Sequence, residues 1–305
     1  MNIIEQAAKR LEELKRAGVE VPAGIGAGGP LPANAVPTAQ RPAAVTPAPV
    51  RPSNVEALPT TSRRSREVQI DLARLEREGY LVPSQGRSLL AEQMRIIKRP
   101  LLANARGESA QTIARPNLIV VASAMPGEGK TFFSMNLAMS IAMEVDHSVL
   151  LVDADVLRPS VLARYGLEPS RGLMDVVGSS HLDLADVMLR TNVPKLSLLP
   201  AGTANAKSTE LLASAAMEHL LDELAAKYSD RIIVFDAPPL IPTTESRVLA
   251  SRVGQVVMVV EANRTTHAQV SQAYAAVESC PVVLSVLNKS RGNVGSESYG
   301  YYYAA

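Results

Sequence analysis

From Pro116 onward, short β-branched apolar runs alternate with longer stretches whose apolar residues recur at helical spacing. The runs are Leu118–Ser123, Val149–Asp153, Leu196–Pro200, Ile232–Asp236, Val256–Glu261 and Val282–Leu287. Helical patterns between them cover Thr131–Glu144, Thr209–Tyr228, Ser246–Ser251 and His267–Glu278. Nearly continuous apolar strands separated by helices predict an α/β fold, a mostly parallel sheet with helices on both faces. Ligands of such sheets bind at the carboxyl ends of the strands.

Upstream the pattern differs. Asn2–Arg16 reads as an amphipathic helix, with Ile4, Ala8, Leu11 and Leu14 on one face and charges on the rest, ended by Gly18. Its role is either that of a surface helix or that of a docking helix. From Pro22 to Pro59 the chain is rich in Ala, Pro, Gly, Val and Thr without a period, the composition of a disordered linker. A helical pattern spans Val68–Glu78, and another begins at Ser88 with Leu89, Leu90, Met94 and Ile97 on an apolar stripe. The expected organisation is a helix over 1–20, a linker over 21–65, a helical segment over 66–115, a globular domain over 116–289 and a tail over 290–305.

Composition narrows the function. In 305 residues the formal net charge is +1, so no bulk field attracts nucleic acid, and with no Trp and three Phe there is no stacking platform for single strands. Cys280 is the single cysteine and has no internal disulfide partner, which fits a reducing, cytoplasmic setting. No stretch approaches the roughly 18–20 apolar residues of a membrane span. Glu5, Glu12 and Glu13 interrupt the N-terminal pattern, so it does not read as a signal peptide. Work at a membrane would require recruitment by a partner.

The strand Leu118–Ser123 runs into Ala124-Met125-Pro126-Gly127-Glu128-Gly129-Lys130-Thr131, followed at once by a helix. Against G-x-x-x-x-G-K-[ST], Gly129, Lys130 and Thr131 match while Ala124 replaces the first glycine. Gly127 and Gly129 let the backbone wrap a phosphate with its N–H groups, and the helix N-terminus adds partial positive charge. Lys130 would reach the β- and γ-phosphates of ATP, and the Thr131 hydroxyl would ligate Mg²⁺. Pro126 through Phe132 is the expected nucleotide-binding stretch. Without these three matches the same segment would be an ordinary glycine-rich turn.

Two further strands end in carboxylates. Val149–Val152 is followed by Asp153-Ala154-Asp155, with Arg158-Pro159 close behind, and Ile232–Phe235 is followed by Asp236-Ala237-Pro238-Pro239. Period-2 geometry turns Asp153 and Asp155 to the same side. Read singly, each is a helix cap or turn residue. Beside a phosphate loop they supply what a Mg²⁺–nucleotide site needs, and one can accept a proton from an attacking hydroxyl.

These residues resemble the three Walker-type motifs of the bacterial tyrosine kinases. Pro126–Thr131 resembles their Walker A, Leu150–Asp155 with Arg158-Pro159 their Walker A′, and Ile233–Pro239 their Walker B. The resemblance runs from about Arg87 to the C-terminus, and is nearest to the stand-alone subgroup associated with exosortase and exopolysaccharide systems. It implies a P-loop fold, an ATP- and Mg²⁺-dependent protein-tyrosine kinase, Lys130 and Thr131 on phosphates and metal, Asp153 as base or metal-organising carboxylate, and Asp155 and Asp236 completing the metal shell. It also implies a homo-oligomer, a ring in the family, and a membrane-embedded activator of the chain-length-regulator type. The family's oligomer motif Glu-x-x-Arg-x-x-Arg reads here Glu92, Arg95, Lys98, at helical spacing that predicts a line of charge facing a neighbouring subunit. Lys207 stands before Glu210-Leu211-Leu212 where the family often has proline.

The chain ends Tyr299-Gly300-Tyr301-Tyr302-Tyr303-Ala304-Ala305 after a turn-rich stretch, a tail expected to bury little. By resemblance Tyr299, Tyr301, Tyr302 and Tyr303 are the autophosphorylation substrate. A phenol, with pKa about 10, needs a carboxylate to take its proton. Two rival readings remain at this level. One is a membrane-associated ATPase switch of the septum-site or partition type, whose phosphate loop carries an early lysine absent from Ala124-Met125-Pro126. The other is a non-enzymatic nucleotide-sensing scaffold for polymer export.

Overall fold

The computed structural model describes residues 65–290 apart from positions 180, 205, 206 and 229. The expected N-terminal helix, the linker as far as residue 64 and the tyrosine tail from residue 291 lie outside the described residues.

Eight strands form one sheet in the order β1-β4-β5-β3-β6-β2-β7-β8. They are β1 (Arg66–Val68), β2 (Leu118–Ser123), β3 (Ser148–Asp153), β4 (Leu189–Thr191), β5 (Leu196–Leu199), β6 (Arg231–Asp236), β7 (Gln255–Glu261) and β8 (Val282–Asn288). All neighbours are parallel except β4 against β5. The mostly parallel α/β sheet expected from the sequence is therefore the observed one.

Every residue of β2 is buried, because helices cover both faces. Leu118, Val120 and Ala122 enter one core while Ile119 and Val121 enter the other, the alternation that a strand's period of two imposes. Helices α1 (Leu72–Arg77), α2 (Leu89–Ala105), α3 (Lys130–Ala142) and α4 (Val161–Tyr165) pack on the second core through Leu75, Leu101, Leu137 and Tyr165. The first core takes α5 (Leu173–Val177), α6 (Leu184–Val187), α7 (Ser208–Ala213), α8 (Ala215–Lys227), α9 (Glu245–Ala250) and α10 (His267–Ala275).

Three sequence expectations change. Val68 ends a strand, and the helix that follows starts only after Asp71, whose side chain caps it by accepting from Arg74 N. The single helix expected over Thr209–Tyr228 is two, because extended Ser214 ends α7 and caps α8 with its hydroxyl. Residues 66–115 are not an appendage to a domain beginning at 116. β1 adds to the sheet, and Leu75, Leu81 and Leu101, each no more than 1% exposed, share the core beneath α3.

Strand order positions the site. β6 lies between β3 and β2, and the register sets Asp153 opposite Asp236 and Asp236 opposite Val121. Two carboxylates and the start of the phosphate loop thus reach the same level at the sheet's carboxyl edge.

Candidate active site

The loop between β2 and α3 turns through two left-handed glycines, Gly127 at φ 86° and Gly129 at φ 95°. A Cβ at Gly129 would be strained by that φ and would collide with the Asn288 carboxamide, so the glycine is required by shape as well as by backbone angle. α3 then opens with Lys130, and no side chain caps its N-terminus. Backbone N–H groups there are free for an anion.

The Lys130 Nζ lies 2.8 Å from Asp155 Oδ2. The other Asp155 oxygen accepts the Arg158 amide at 3.2 Å. Asp236 is fully buried; its Oδ1 lies 3.0 Å from the Ser134 hydroxyl, and its Oδ2 has no hydrogen-bond partner. Burial pushes the Asp236 carboxyl up, and Lys130 with the Thr131 and Ser134 hydroxyls pulls it back. Asp153 is 1% exposed, and its Oδ2 accepts the Ser160 and Val161 amides, both at 2.9 Å. Burial raises it to about 7, with the Asp236 and Asp155 charges adding to the shift.

A cavity of about 450 Å³ opens over the loop. Its wall contains Pro126, Gly127, Gly129, Lys130, Thr131, Phe132 and Asp155 from the expected set, with Arg158, Pro238 and Pro239 from the motif flanks. Phe132 is braced from behind by Tyr80, ring centres 5.0 Å apart. Three expected residues take different places, and one of them, Asp236, is fully buried and absent from the cavity wall. The Glu128 side chain turns inward, 2% exposed, to accept from Met125 N and the Thr265 hydroxyl, so it shapes the loop rather than facing a ligand. Asp153 is not in the cavity wall; it holds the turn that carries Asp155 and Arg158.

The partnerless Asp236 Oδ2 and the Thr131 hydroxyl beside it suit a hard cation such as Mg²⁺. Among the described residues there is no cluster of three or more His, Cys, Asp or Glu side chains able to hold a metal by themselves. That donor set matches an ion that keeps waters and shares a nucleotide's phosphates.

Leu157, Arg164, Pro242 and Thr243 also line the cavity and were not singled out by sequence. Arg164 sits on a five-residue helix too short to show a period, and its Nη1 donates to the Tyr80 hydroxyl at 2.9 Å. Of the charged trio on α2, Glu92 and Arg95 pair with each other on the exposed side. Lys98 does not join them. It is 4% exposed and reaches Ser140 O and Glu144 Oε1, both at 2.6 Å. With about 100° per residue, each three-residue step drifts by roughly 60°, so Lys98 stands about 120° round the helix from Glu92.

A family model described as an AAA domain matches residues 116–283. Tyrosine-protein kinase YwqD of Bacillus subtilis is 29% identical over 232 residues, covering 75% of this chain and 93% of its own. Putative tyrosine-protein kinase EpsB of Ralstonia nicotianae is 31% identical over 247 residues, covering 77% of this chain and 32% of its own. The chain thus spans nearly all of the first relative and about a third of the second. Among solved structures, the kinase domain of Escherichia coli tyrosine kinase ETK aligns with a TM-score of 0.52 at 27% identity, over 56% of this chain and 67% of that one.

Proposed function

The chain belongs to the bacterial tyrosine-kinase family of AAA-domain proteins, and from that premise we propose that it is an ATP-dependent autokinase that phosphorylates Tyr299, Tyr301, Tyr302 and Tyr303 of a second copy of itself. The observation that carries this reading is that Lys130, Thr131 and Asp155 line one cavity over the phosphate loop, with the buried Asp236 carboxylate of the adjacent strand held by Ser134 of α3. The loop amides and Lys130 hold the β- and γ-phosphates. A γ-phosphate offers Lys130 a second anionic partner and so loosens its hold on Asp155.

Thr131 and Asp236 would hold Mg²⁺, which when bound draws charge from the transferred phosphoryl group and leaves Asp155 free to act as a base. Asp155, in the cavity wall, takes the phenol proton; the new O–P bond forms as the bond from the γ-phosphorus to ADP breaks, and ADP leaves. Asp153 keeps the Asp155–Val161 turn in place through the Ser160 and Val161 amides. Arg158 and Arg164 give the cavity mouth positive charge, which suits both a triphosphate and the growing negative charge of a modified tail.

The wider role is control of exopolysaccharide synthesis or export with a membrane-embedded activator. No helix among the described residues is long and apolar enough to cross a membrane. Association into an oligomer would use the open Glu92–Arg95 side of α2, with Lys98 serving the fold instead.

The partition of γ-labelled phosphate tests the assignment. Purified protein with Mg²⁺ and ATP should carry label as protein-bound phosphotyrosine. Label recovered solely as inorganic phosphate would refute the kinase and leave an ATPase switch; no turnover at all would leave a nucleotide sensor.

A further inference from the structure

Two consecutive carbonyls of the phosphate loop are held from outside the motif. Asn288 Nδ2 donates to Glu128 O at 2.9 Å, and Lys289 Nζ donates to Gly127 O at 2.6 Å. Both donors stand at the exit of β8, whose chain reaches the loop only through the fold. Lys289 adopts φ 57°, a left-handed conformation uncommon for a side chain of this size, next to the last β8 residue. Its ammonium also meets Glu261 Oε2 at 3.1 Å, and Ala262 N donates to Asn288 O at 2.9 Å, so the pair is fastened to the end of β7.

A planar trans peptide points its C=O and its N–H in opposite directions. Holding Gly127 O and Glu128 O on the β8 side therefore aims the Glu128 and Gly129 N–H groups the other way, into the cavity. The 128–129 plane turns about ψ of Glu128 and φ of Gly129, and a glycine there leaves a second orientation open at small steric cost, in which the flipped plane would present a carbonyl to an anion. Loop glycines allow the phosphate-binding shape; something else must select it.

We propose that Asn288 and Lys289 are positioning residues for phosphate binding, which set the two peptide planes whose amides receive the nucleotide's phosphates. The Glu128 carboxylate, fixed by Met125 N and the Thr265 hydroxyl, holds the same loop from within. The device acts on any phosphate-bearing ligand of this loop and requires nucleotide binding but not the kinase assignment.

The test is ADP affinity, by calorimetry with Mg²⁺ present, in an Asn288→Ala, Lys289→Met double variant, together with hydrogen exchange of the ligand-free protein. Lys289 is half exposed, so the loss is set at a modest charge-assisted bond plus a neutral one. The Kd for ADP should rise roughly ten- to hundredfold. Exchange should quicken in the 124–131 peptide alone. Lys289→Gln, which keeps a donor without the charge, should fall between wild type and Lys289→Met. Unchanged ADP affinity in the double variant would overturn the proposal. So would faster exchange spread over β2, α3 and β6, which would show a general loss of stability, or a Lys289→Gln variant no better than Lys289→Met.

Discussion

Replacing Asp236 by Asn should stabilise the ligand-free protein while removing its response to magnesium. Asp236 is fully buried, one of its oxygens has no partner, and burial pushes its carboxyl up. An unsatisfied buried polar group costs ~1–3 kcal/mol, and here the Asp155 charge adds to the penalty while Lys130 relieves part of it. Asn keeps the volume and an acceptor for Ser134 and leaves its NH₂ as unpartnered as Oδ2 was, so the gain comes only from removing one charge from a cluster of three carboxylates. A net gain of about 1 kcal/mol follows, or a rise of ~2–4 °C in Tm for a domain of this size. Wild type with Mg²⁺ and ADP at a hundredfold over Kd gains about 2.7 kcal/mol from binding. The variant should lose most of the part that depends on Mg²⁺. Thermal unfolding in EDTA and in Mg²⁺–ADP reads both effects. A variant that melts below wild type in EDTA, or that keeps the full magnesium-dependent shift, would refute the account of Asp236 as a site carried at the expense of stability.

Leu101→Ala should lower the main unfolding transition by ~5–15 °C, because a fully buried side chain of α2 is part of the common core; a transition unmoved by it would restore residues 66–115 to a separate segment. Asp153 has a folded-state pKa of about 7 against 3.8 for an unperturbed aspartate, so its contribution to stability is full below about 4 and is lost as pH rises through about 7. Urea midpoints measured from pH 5 to pH 8 should therefore fall more steeply in wild type than in Asp153→Asn, and parallel curves would contradict the raised value. In light scattering, unphosphorylated protein should associate, phosphorylated protein should come apart, and Glu92→Ala, Arg95→Ala should lower the mass; equal masses for the two phosphorylation states, or for the variant and its parent, would count against that surface and that switch.

The phosphate loop was legible because three local signals fall on adjacent residues: an apolar strand, Gly129-Lys130-Thr131 and a helix. The strand-tip aspartates were legible for the same reason. Their alignment was not, since it depends on β6 entering between β3 and β2, a matter of crossovers rather than of local pattern. Asn288 and Lys289 meet their partners 160 and 162 residues away, and nothing nearby marks them beyond a polar pair after an apolar run. β1 and β4, three residues each, are too short for a period to show. The spacing of Glu92, Arg95 and Lys98 misled because three-residue steps drift round a helix, and the third charge meets Ser140 and Glu144 at the end of α3 instead of solvent.

The measurement that bears most directly on the central claim is the phosphate content of the C-terminal peptide. Wild type and Lys130→Met would each be incubated with ATP and Mg²⁺, digested and examined by mass spectrometry. The account predicts phosphate on Tyr299, Tyr301, Tyr302 or Tyr303 in wild type and none in Lys130→Met, with both proteins equally folded. An unmodified peptide from wild type, or equal phosphate on the two, would contradict it.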